Sequence, residues 1–376
     1  MHVVHVTTSL GPSGGGVARA LLPLAGSQAD QGARVTLCAQ EAPVQVPGGL
    51  RLLIGAPLWP RRLARSPEAR RRLLAEPADL IHAHGLWQRS LAYAREAAAR
   101  SGVPLVISPH GMLSPWARAH LSPLKWLAAR IVHPGALAGA SGWHAASELE
   151  AEELRTLGLG SPVCVAPHGP PDVLRAPGPP AMDHYLAAAP ELRGRRVLLF
   201  YSRFHRKKRV LELIDDFARL APRRPDWHLL LVGIPEEYAT EALRRRALRA
   251  GVGERVSVLD GTGRPAPWDV AELMVLPSHS ENFGLVVLEA LLAGRPVLTT
   301  TDTPWGELEG VGAGACVAGH AWPAALERLT GLPSEDLRAA GERGRAWARD
   351  RFDWGRSARR LLDFYASLAS RPLRMP

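Results

Sequence analysis

The chain has 376 residues, 46% of them hydrophobic and 22% charged, which excludes wholesale disorder and suggests two domains that need no disulfides. No apolar run reaches 18 residues and the N-terminus lacks the basic and apolar regions of a signal peptide, so neither a transmembrane helix nor a secretory leader is expected. The net charge is +10, but only three of the 46 basic residues are lysines, so we interpret the excess as arginine-rich composition, with attraction to anions as the alternative.

Short apolar runs alternate with Ala-, Leu- and Arg-rich stretches of helical spacing through the first half of the chain. Helices are predicted over residues 16–31, 87–101 and 147–157, and Ser147 with Glu150 can form a capping box at the start of the last one. Strands separated by helices indicate a parallel sheet covered on both faces. The predicted strands are residues 3–7, 34–39, 51–54, 80–83, 105–108, 142–145 and 164–166.

A Pro- and Gly-rich stretch over residues 169–194 interrupts this alternation, which then restarts. We predict an N-terminal Rossmann-like domain over residues 1–170, a linker over 171–194, a C-terminal Rossmann-like domain over 195–350 and a C-terminal helix over 351–376 that can pack back on the first domain. The second domain has predicted strands at 196–201, 227–232, 255–259, 273–276 and 297–300 and predicted helices at 210–220, 236–250 and 285–293, with more helices after 322.

The predicted fold class is therefore α/β, with two doubly wound domains that face each other across a cleft. In such sheets, ligands bind at the carboxyl ends of the parallel strands. Loops that follow predicted strands are accordingly the places to search for functional residues.

A glycine-rich loop follows the first predicted strand and includes Gly15 and Gly16. Glycines allow a ligand to approach the backbone closely, and the next helix presents free N–H groups to an anion. The loop lacks the G-x-G-x-x-G spacing and no acidic residue ends the next strand, so a nicotinamide cofactor is not expected. A tight strand-to-helix turn is the alternative interpretation.

Histidines follow two other predicted strands of the first domain. His110, in the sequence Ser-Pro-His-Gly-Met, lies at the end of a strand, where a side chain faces the ligand side of the sheet. The alternative is a structural histidine bonded to a backbone carbonyl. His82 and His84 occupy a similar position after another strand, and we interpret them as packing or supporting groups.

A basic loop follows the first strand of the second domain and carries five cations within residues 203–209, among them Arg203 and Lys208. These charges would repel one another unless an anion is bound among them. A diphosphate leaving group needs such charges, because its negative charge grows as its bond to carbon breaks. An exposed basic turn is the alternative interpretation.

The most specific stretch covers residues 277–290. Glu281 lies on the loop after a predicted strand, and Glu289 lies in the following helix among apolar residues, where a carboxylate is costly without partners such as sugar hydroxyls. Backbone N–H groups at the start of this helix can hold a phosphate. The residues that supply them are Asn282, Phe283, Gly284 and Leu285.

Together, these stretches resemble the retaining glycosyltransferases of the GT-B fold, family four, also called glycosyl transferases group 1. The resemblance covers nearly the whole chain, with the motifs in the expected order. Residues 109–116 and 303–308 resemble a bacterial branch that builds surface polysaccharides. The resemblance implies transfer of a hexose-type sugar from a nucleotide diphosphate sugar, with retention at the anomeric carbon, usually without a metal and with no cofactor beyond the donor substrate.

Residue roles follow from the resemblance position by position. Arg203 and Lys208 match the pair that grips the donor diphosphate, and Glu281 matches the carboxylate beside the transferred sugar. Glu289 matches the ribose-binding carboxylate, and His110 matches the histidine that touches the donor sugar from the first domain. Two further positions, matching the loop near the phosphates and the acceptor, are Gly15 and Gly16.

The chain departs from the family between Gly261 and Pro277, where the family usually has a longer helical segment, so no base or acceptor contact is carried over to these residues. The absence of an Asp-x-Asp sequence agrees with the expectation of no metal site. Two functional alternatives stay open: a non-catalytic GT-B partner subunit, and a GT-B phosphorylase or nucleotide-sugar epimerase.

The expected partners are a nucleotide sugar and a glycan or lipid-linked acceptor; nucleic acid is not expected, because its recognition motifs are absent. Three distant cysteines, an odd number, favour reduced thiols in a cytoplasmic protein. Tryptophans and cations in residues 114–137, with basic residues in 61–72, suggest peripheral contact with an anionic inner membrane. Core tryptophans and solvated arginines are the alternative.

Overall fold

The structure is a computed structural model that describes residues 1–59, 64–120, 137, 139–170 and 181–370. The chain divides into two compact units. The first combines Met1–Pro171 with Phe352–Pro376, and the second is Asp172–Arg351. Among the described residues, no helix is both long enough and apolar enough to cross a bilayer.

In the described part of the first unit, seven strands form one sheet in the order β3-β2-β1-β4-β5-β6-β7, and all neighbouring strands are parallel. The strands are β1 His2–Val6, β2 Arg34–Ala39, β3 Leu50–Ile54, β4 Leu80–His84, β5 Leu105–Ser108, β6 Gly142–Ala145 and β7 Val163–Val165. Its helices are Gly15–Asp30, Pro67–Ala75, Arg89–Ser101, Pro115–Ala119, Glu148–Thr156 and Trp354–Ala369.

In the described part of the second unit, six strands form a parallel sheet in the order β10-β9-β8-β11-β12-β13. The strands are β8 Arg196–Tyr201, β9 Trp227–Gly233, β10 Val256–Asp260, β11 Leu273–Leu276, β12 Val297–Thr300 and β13 Gly314–Val317. Its helices are Ala181–Ala188, Val210–Leu220, Thr240–Arg249, Leu285–Leu292, Trp322–Thr330 and Ser334–Arg351. The α/β class predicted from the sequence is confirmed, with one Rossmann-like sheet in each unit.

Burial explains why the apolar runs form central strands. Every residue of β1 and β4 is buried, as is every residue of β9, which is typical of parallel strands covered by helices on both faces. In each sheet, the first strand of the unit lies in the middle, and the strand order changes direction beside it. The change falls between β1 and β4 in the first sheet and between β8 and β11 in the second. Loops that leave the carboxyl ends of these strands lie where a doubly wound sheet forms its ligand site.

Some elements differ from the sequence-based expectation. Helix Ala181–Ala188 lies within the stretch predicted as linker 171–194, because an alanine-rich run forms a helix once the preceding prolines end; residues 171–180 lie outside the described residues. Helix Pro67–Ala75 and strand β13 were not predicted. Ser66 caps the former by accepting a hydrogen bond from Ala69 N, a Ser-Pro start that the sequence does display.

The last helix, Trp354–Ala369, belongs to the first unit, although the second unit precedes it in the chain. Asp353 caps it by accepting a hydrogen bond from Arg356 N. Gln31 Nε2 donates to Gly355 O at 2.8 Å, and Trp354 Nε1 donates to Pro170 O at 2.7 Å. These contacts hold the helix against the first sheet and bring Tyr365 into its buried interior.

Candidate functional site

The basic loop after β8 is neutralised by carboxylates of the chain itself. Arg203 Nη1 lies 2.6 Å from Glu236 Oε2, and Arg206 pairs with Glu237, whose carboxylate also accepts a hydrogen bond from Arg206 N at 2.9 Å. Both glutamates follow β9, the neighbour of β8, so the two loops leave adjacent strand ends. The expectation that this cationic cluster requires an external anion is therefore corrected: internal carboxylates balance part of its charge.

Both side chains of the Arg203–Glu236 pair are exposed, Arg203 over 56% and Glu236 over 43% of its surface. Exposed ion pairs of this kind contribute about 0–1 kcal/mol, because water and salt screen them. A polyanion with several oxygens can therefore displace Glu236 from Arg203 at little cost. Helix 236–250 of the sequence-based prediction starts instead at Thr240, since Glu236 and Glu237 are held by this loop.

The pair formed by Lys208 and Glu281 differs, because both side chains are only 9% exposed. Lys208 Nζ bonds Glu281 Oε1, which also accepts a hydrogen bond from Ser278 Oγ at 2.7 Å. Burial alone would raise the pKa of Glu281, but the positive charges of Lys208 and Lys207 and these hydrogen bonds outweigh it and lower that pKa. Glu281 is thus a carboxylate fixed beside an ammonium group.

The loop between Glu281 and the next helix has a defined shape. Gly284, the residue before helix Leu285–Leu292, has a φ of 78°, a left-handed conformation that favours glycine. Trp305 Nε1 donates to Phe283 O at 2.6 Å, and Glu281 N donates to Asp302 O at 3.1 Å. These bonds fix the start of the helix, whose first backbone N–H groups and positive dipole end attract anions.

Glu289 lies in the same helix and is 1% exposed, between Leu288 and Ala290, which are both fully buried. A carboxylate in such surroundings is stable only when polar groups satisfy its oxygens. Leu285 is the first residue of the helix, and Asn282 precedes it on the loop. The structure thus groups Arg203, Lys208, Glu281 and the start of this helix at the ends of strands β8 and β11, which are neighbours in the sheet.

In the first unit, the glycine-rich loop is held by Glu41, which sequence reasoning missed. Its carboxylate accepts hydrogen bonds from Ser9 and Ser13, and these bonds lower its pKa. A side chain at Gly11 would collide with this carboxylate, 2.5 Å from a Cβ there. Gly16 is different, because a Cβ there would have none of the described atoms within 4 Å, and Gly15 has a φ of 54° with equally open surroundings.

His110 follows β5 in a strained turn. Its φ of 51° is left-handed, as is the φ of 73° at Gly111. Gly111 N donates to Glu150 Oε1 at 2.7 Å, and Ala146 N donates to Glu150 Oε2 at 2.9 Å. Ser147 caps its helix as predicted by accepting a hydrogen bond from Glu150 N, and the Glu150 carboxylate also ties this helix start to the turn at Gly111.

The His110 ring begins a buried chain of hydrogen bonds. His110 Nε2 lies 3.1 Å from His84 Nδ1, and His84 Nε2 lies 2.9 Å from His5 Nδ1. His5 Nε2 lies 2.7 Å from Gln28 Oε1, on helix Gly15–Asp30. His84, which the sequence predicts to be a packing or supporting group, lies directly behind His110.

A second chain runs beside the first. His82 Nδ1 lies 2.6 Å from the Tyr365 hydroxyl, and His82 Nε2 lies 2.7 Å from Ser108 Oγ. Ser108 Oγ lies 2.6 Å from His144 Nδ1, and His144 Nε2 lies 2.9 Å from Ala166 O. His82 lies on β4 and His144 on β6, and Ser108 lies between them on β5, the strand that pairs with both.

Burial keeps these histidines neutral. It lowers the pKa of His5 and His144 to about 4 and that of His110 to about 3, and it also holds the pKa of His82 and His84 well below the ordinary value of 6.5. Among the described residues, His5, His82 and His84 present nitrogens within 4.8 Å of one another, the spacing of a metal site. Their nitrogens are engaged in the hydrogen bonds given above, which a metal ion would have to replace.

Two family models match the chain. Residues 15–169 match "Glycosyl transferase 4-like domain", and residues 186–347 match "Glycosyl transferases group 1". The chain belongs to the group 1 glycosyltransferases. The family resemblance inferred from the sequence motifs is confirmed.

Curated relatives of the chain include the D-inositol 3-phosphate glycosyltransferase of Jonesia denitrificans, 33% identical over 238 residues, which cover 58% of this chain and 55% of the relative. The lipopolysaccharide core biosynthesis mannosyltransferase LpsB of Rhizobium meliloti is 28% identical over 177 residues, 45% of this chain and 50% of the relative. The chain thus spans about half the length of these relatives.

Solved structures share the fold of the chain along nearly its full length. Anabaena Alr3699/HepE in complex with UDP and glucose has a TM-score of 0.73 and 21% identity, covering 98% of this chain and all of that one. WaaG, a glycosyltransferase involved in lipopolysaccharide biosynthesis, has a TM-score of 0.71 and 19% identity, covering 97% and 99%. These likenesses establish the GT-B fold.

The stretch predicted to contact a membrane is described only in part. Residues 121–136 and 138, and residues 60–63 of the second basic stretch, lie outside the described residues. Trp116, on helix Pro115–Ala119, stacks on His120 with ring centroids 4.3 Å apart. Arg70 and Arg72 of the second basic stretch are paired with glutamates of the chain, which reduces the positive charge expected there.

Because its histidines are buried as neutral rings, we expect the protein to lose stability in acid. A histidine of unperturbed pKa 6.5 binds protons in the unfolded chain before the buried ring does, so stability is complete above about pH 6.5 and falls towards pH 4. Each such histidine adds a slope of up to about 1.4 kcal/mol per pH unit in that window. Urea unfolding at several pH values measures the slope.

Glu150 acts in the opposite direction, because burial raises its pKa to about 7, so it favours the folded state at lower pH. Several histidines outweigh this single carboxylate. His120→Gln, at an exposed position, is the matched control and should leave the slope unchanged. A free energy of unfolding that stays constant from pH 6.5 to 4.5 would contradict this, because it would show that the folded and unfolded chains bind equal numbers of protons.

Proposed function

We propose that the protein is a retaining glycosyltransferase that moves a sugar from a nucleotide diphosphate sugar to a glycan or lipid-linked acceptor in bacterial polysaccharide synthesis. The observation that carries the proposal is the arrangement of Arg203, Lys208 and Glu281 beside the anion-attracting start of helix Leu285–Leu292. Similar structures were solved with UDP-glucose and with UDP and glucose, which supports a nucleotide sugar as donor. LpsB and WaaG, named for lipopolysaccharide synthesis, support the acceptor class.

In this proposal, Arg203 and Lys208 grip the diphosphate. Arg203 exchanges its exposed partner Glu236 for phosphate oxygens, which accept its two-pronged guanidinium more strongly than one screened carboxylate. Lys208 keeps Glu281 and adds a phosphate contact with its remaining N–H bonds. As the bond from sugar to phosphate breaks, both cations meet the growing negative charge, which lowers the barrier.

The start of helix Leu285–Leu292 supplies further contacts to the donor. Backbone N–H groups of the segment from Asn282 through Phe283 and Gly284 to Leu285 would face the phosphates. Glu289, one turn further into the helix, would accept hydrogen bonds from the ribose hydroxyls. The Glu281 carboxylate, held ionised by Lys208, would lie beside the transferred sugar.

The first unit contributes groups on the acceptor side in this proposal. His110 would contact the donor sugar, and the open space beside Gly15 and Gly16 would admit the phosphates and the acceptor close to the backbone. A lipid-linked acceptor is reached at a membrane surface, and Trp116 and Arg118 on helix Pro115–Ala119 are the described residues proposed to touch an anionic leaflet.

Substitution of Arg203 tests the diphosphate contact. Arg203→Ala should lower kcat/KM for the nucleotide sugar about 100-fold, because it removes one contact that strengthens in the transition state. The melting temperature should stay close to that of the parent, since the Arg203–Glu236 pair is exposed. Steady-state kinetics and a thermal melt provide the two values.

Arg328→Ala is the matched control, since Arg328 forms an equally exposed pair with Glu309 in the same unit and has no proposed role. It should retain parental kcat/KM. Wild-type turnover in Arg203→Ala would contradict the diphosphate assignment. Lys208→Ala is less informative, because it leaves Glu281 buried without its cation, which destabilises a fold by about 3–5 kcal/mol.

The stereochemistry of the product tests retention. Proton NMR of the first-formed product should show the anomeric configuration of the donor, and the reaction should continue in EDTA because cationic side chains, rather than a metal, hold the diphosphate in this proposal. An inverted product would contradict retention, and a strict magnesium requirement would contradict metal independence.

The same assays distinguish the alternative functions. Donor cleavage without acceptor, or epimerised donor, would favour the phosphorylase or epimerase alternative. Donor binding without turnover would favour a partner subunit.

A further inference from the structure

The two hydrogen-bond chains of the first unit are joined into one. Gln28 Nε2 lies 3.5 Å from the hydroxyl oxygen of Tyr365, while the other amide atom, Oε1, faces His5. Tyr365 belongs to the second chain through its contact with His82. A continuous run of hydrogen bonds therefore connects a backbone carbonyl, Ala166 O, with the ring of His110.

The direction of the run is set at its inner end. A carbonyl oxygen only accepts hydrogen bonds, so His144 must carry its proton on Nε2, which bonds Ala166 O. Nδ1 of that neutral ring then accepts, and Ser108 is the group that donates to it. Because the Ser108 hydroxyl hydrogen is donated to His144, Ser108 Oγ can only accept from His82, whose proton must therefore lie on Nε2.

The same reasoning passes through the middle of the run. With its proton on Nε2, His82 accepts at Nδ1 from the hydroxyl of Tyr365. The Tyr365 oxygen is then an acceptor for the amide N–H of Gln28, which turns Gln28 Oε1 towards His5. His5 therefore carries its proton on Nε2 and accepts at Nδ1 from His84.

We propose that this run holds His110 in a single tautomer, with the proton on Nε2 and the lone pair on Nδ1. His84 donates through Nε2 to His5, so its Nδ1 accepts and the partner atom, His110 Nε2, must donate. Gln28, His5 and His84 are thus positioning residues for His110. Glu150 fixes the backbone of the same turn through Gly111 N, so the ring and the main chain are held independently.

The tautomer has a functional consequence that rests on the proposed function. Among the described residues, no group bonds His110 Nδ1, whereas Nε2 is engaged with His84. An imidazole lone pair accepts a hydrogen bond from a hydroxyl group but cannot bond an oxygen that carries no hydrogen. The run would therefore select a sugar that presents a hydroxyl donor to His110, and would disfavour one with an ether or ester oxygen at that position.

Heteronuclear NMR of ¹⁵N-histidine-labelled protein tests the tautomer without any substrate. Two-bond nitrogen–proton correlations distinguish Nε2–H from Nδ1–H rings, and His110→Gln identifies the signals of His110 by their loss. We expect wild-type His110 to be Nε2–H. A wild-type His110 with its proton on Nδ1 would overturn the proposal.

The matched variants test whether the run sets the tautomer. Gln28→Leu removes the acceptor of His5, so nothing fixes the direction of the outer rings, and His110 should lose its single Nε2–H form. Thr36→Val removes the hydrogen bond of another buried histidine of the same sheet, His2, and should leave His110 unchanged. An unaltered His110 in Gln28→Leu, or an equal change in Thr36→Val, would contradict the proposal.

Tyr365→Phe is a second variant should Gln28→Leu fail to fold, since it removes the partner that orients the Gln28 amide. In this variant too, the His110 ring should populate both tautomers. A His110 ring that keeps the single Nε2–H form would contradict the proposal that the run sets its tautomer. In activity assays, either variant should lower kcat/KM for the donor about tenfold, the effect of one lost neutral hydrogen bond. Inactivity of the wild type with every donor would refute the proposed function while leaving the NMR result intact.

Discussion

The buried ion pair of Lys208 and Glu281 is the interaction on which the second unit's candidate site depends. Strands β8 and β11 are parallel neighbours, so the loops after them meet at one edge of the sheet. A lone lysine or a lone carboxylate at this depth would cost several kcal/mol, and the pair offsets that cost only when both loops hold their places. Trp305 and Ser278 then fix the segment that follows. The exposed Arg203, beside this rigid pair, stays able to change partners.

In the first unit, the buried polar groups of the two hydrogen-bond chains are also paired, but through hydrogen bonds between neutral side chains rather than through an ion pair. Its strand ends carry histidines rather than ions, and burial keeps the rings neutral. Neutral rings at this depth need a donor and an acceptor each, which they find in one another, in Ser108 and in Gln28. The first unit therefore presents directed hydrogen bonds at its strand ends, whereas the second presents charge.

Sequence patterns were sufficient for the fold class and for most strands, because fully buried parallel strands appear as short apolar runs. They also placed Glu281 on a loop after a strand and Glu289 inside an apolar helix, where a carboxylate is costly without polar partners. They could not reveal Glu236 and Glu237 as partners of the basic loop, because this pairing depends on β9 lying beside β8. The sequence likewise revealed the Ser147 cap but not the bond from Gly111 N to the Glu150 carboxylate, because those two residues lie 39 positions apart in the chain.

The central claim is that the second unit binds a nucleoside diphosphate through this loop and helix. A thermal melt of the full chain with a panel of nucleoside diphosphates and their monophosphates tests it most directly. One diphosphate at about 100 times its Kd should stabilise the protein by about 2.7 kcal/mol, a rise in melting temperature of about 5–10 °C, and its monophosphate should do less. Glu289→Gln should reduce the rise. No shift with any diphosphate, or equal shifts with monophosphates, would contradict the account.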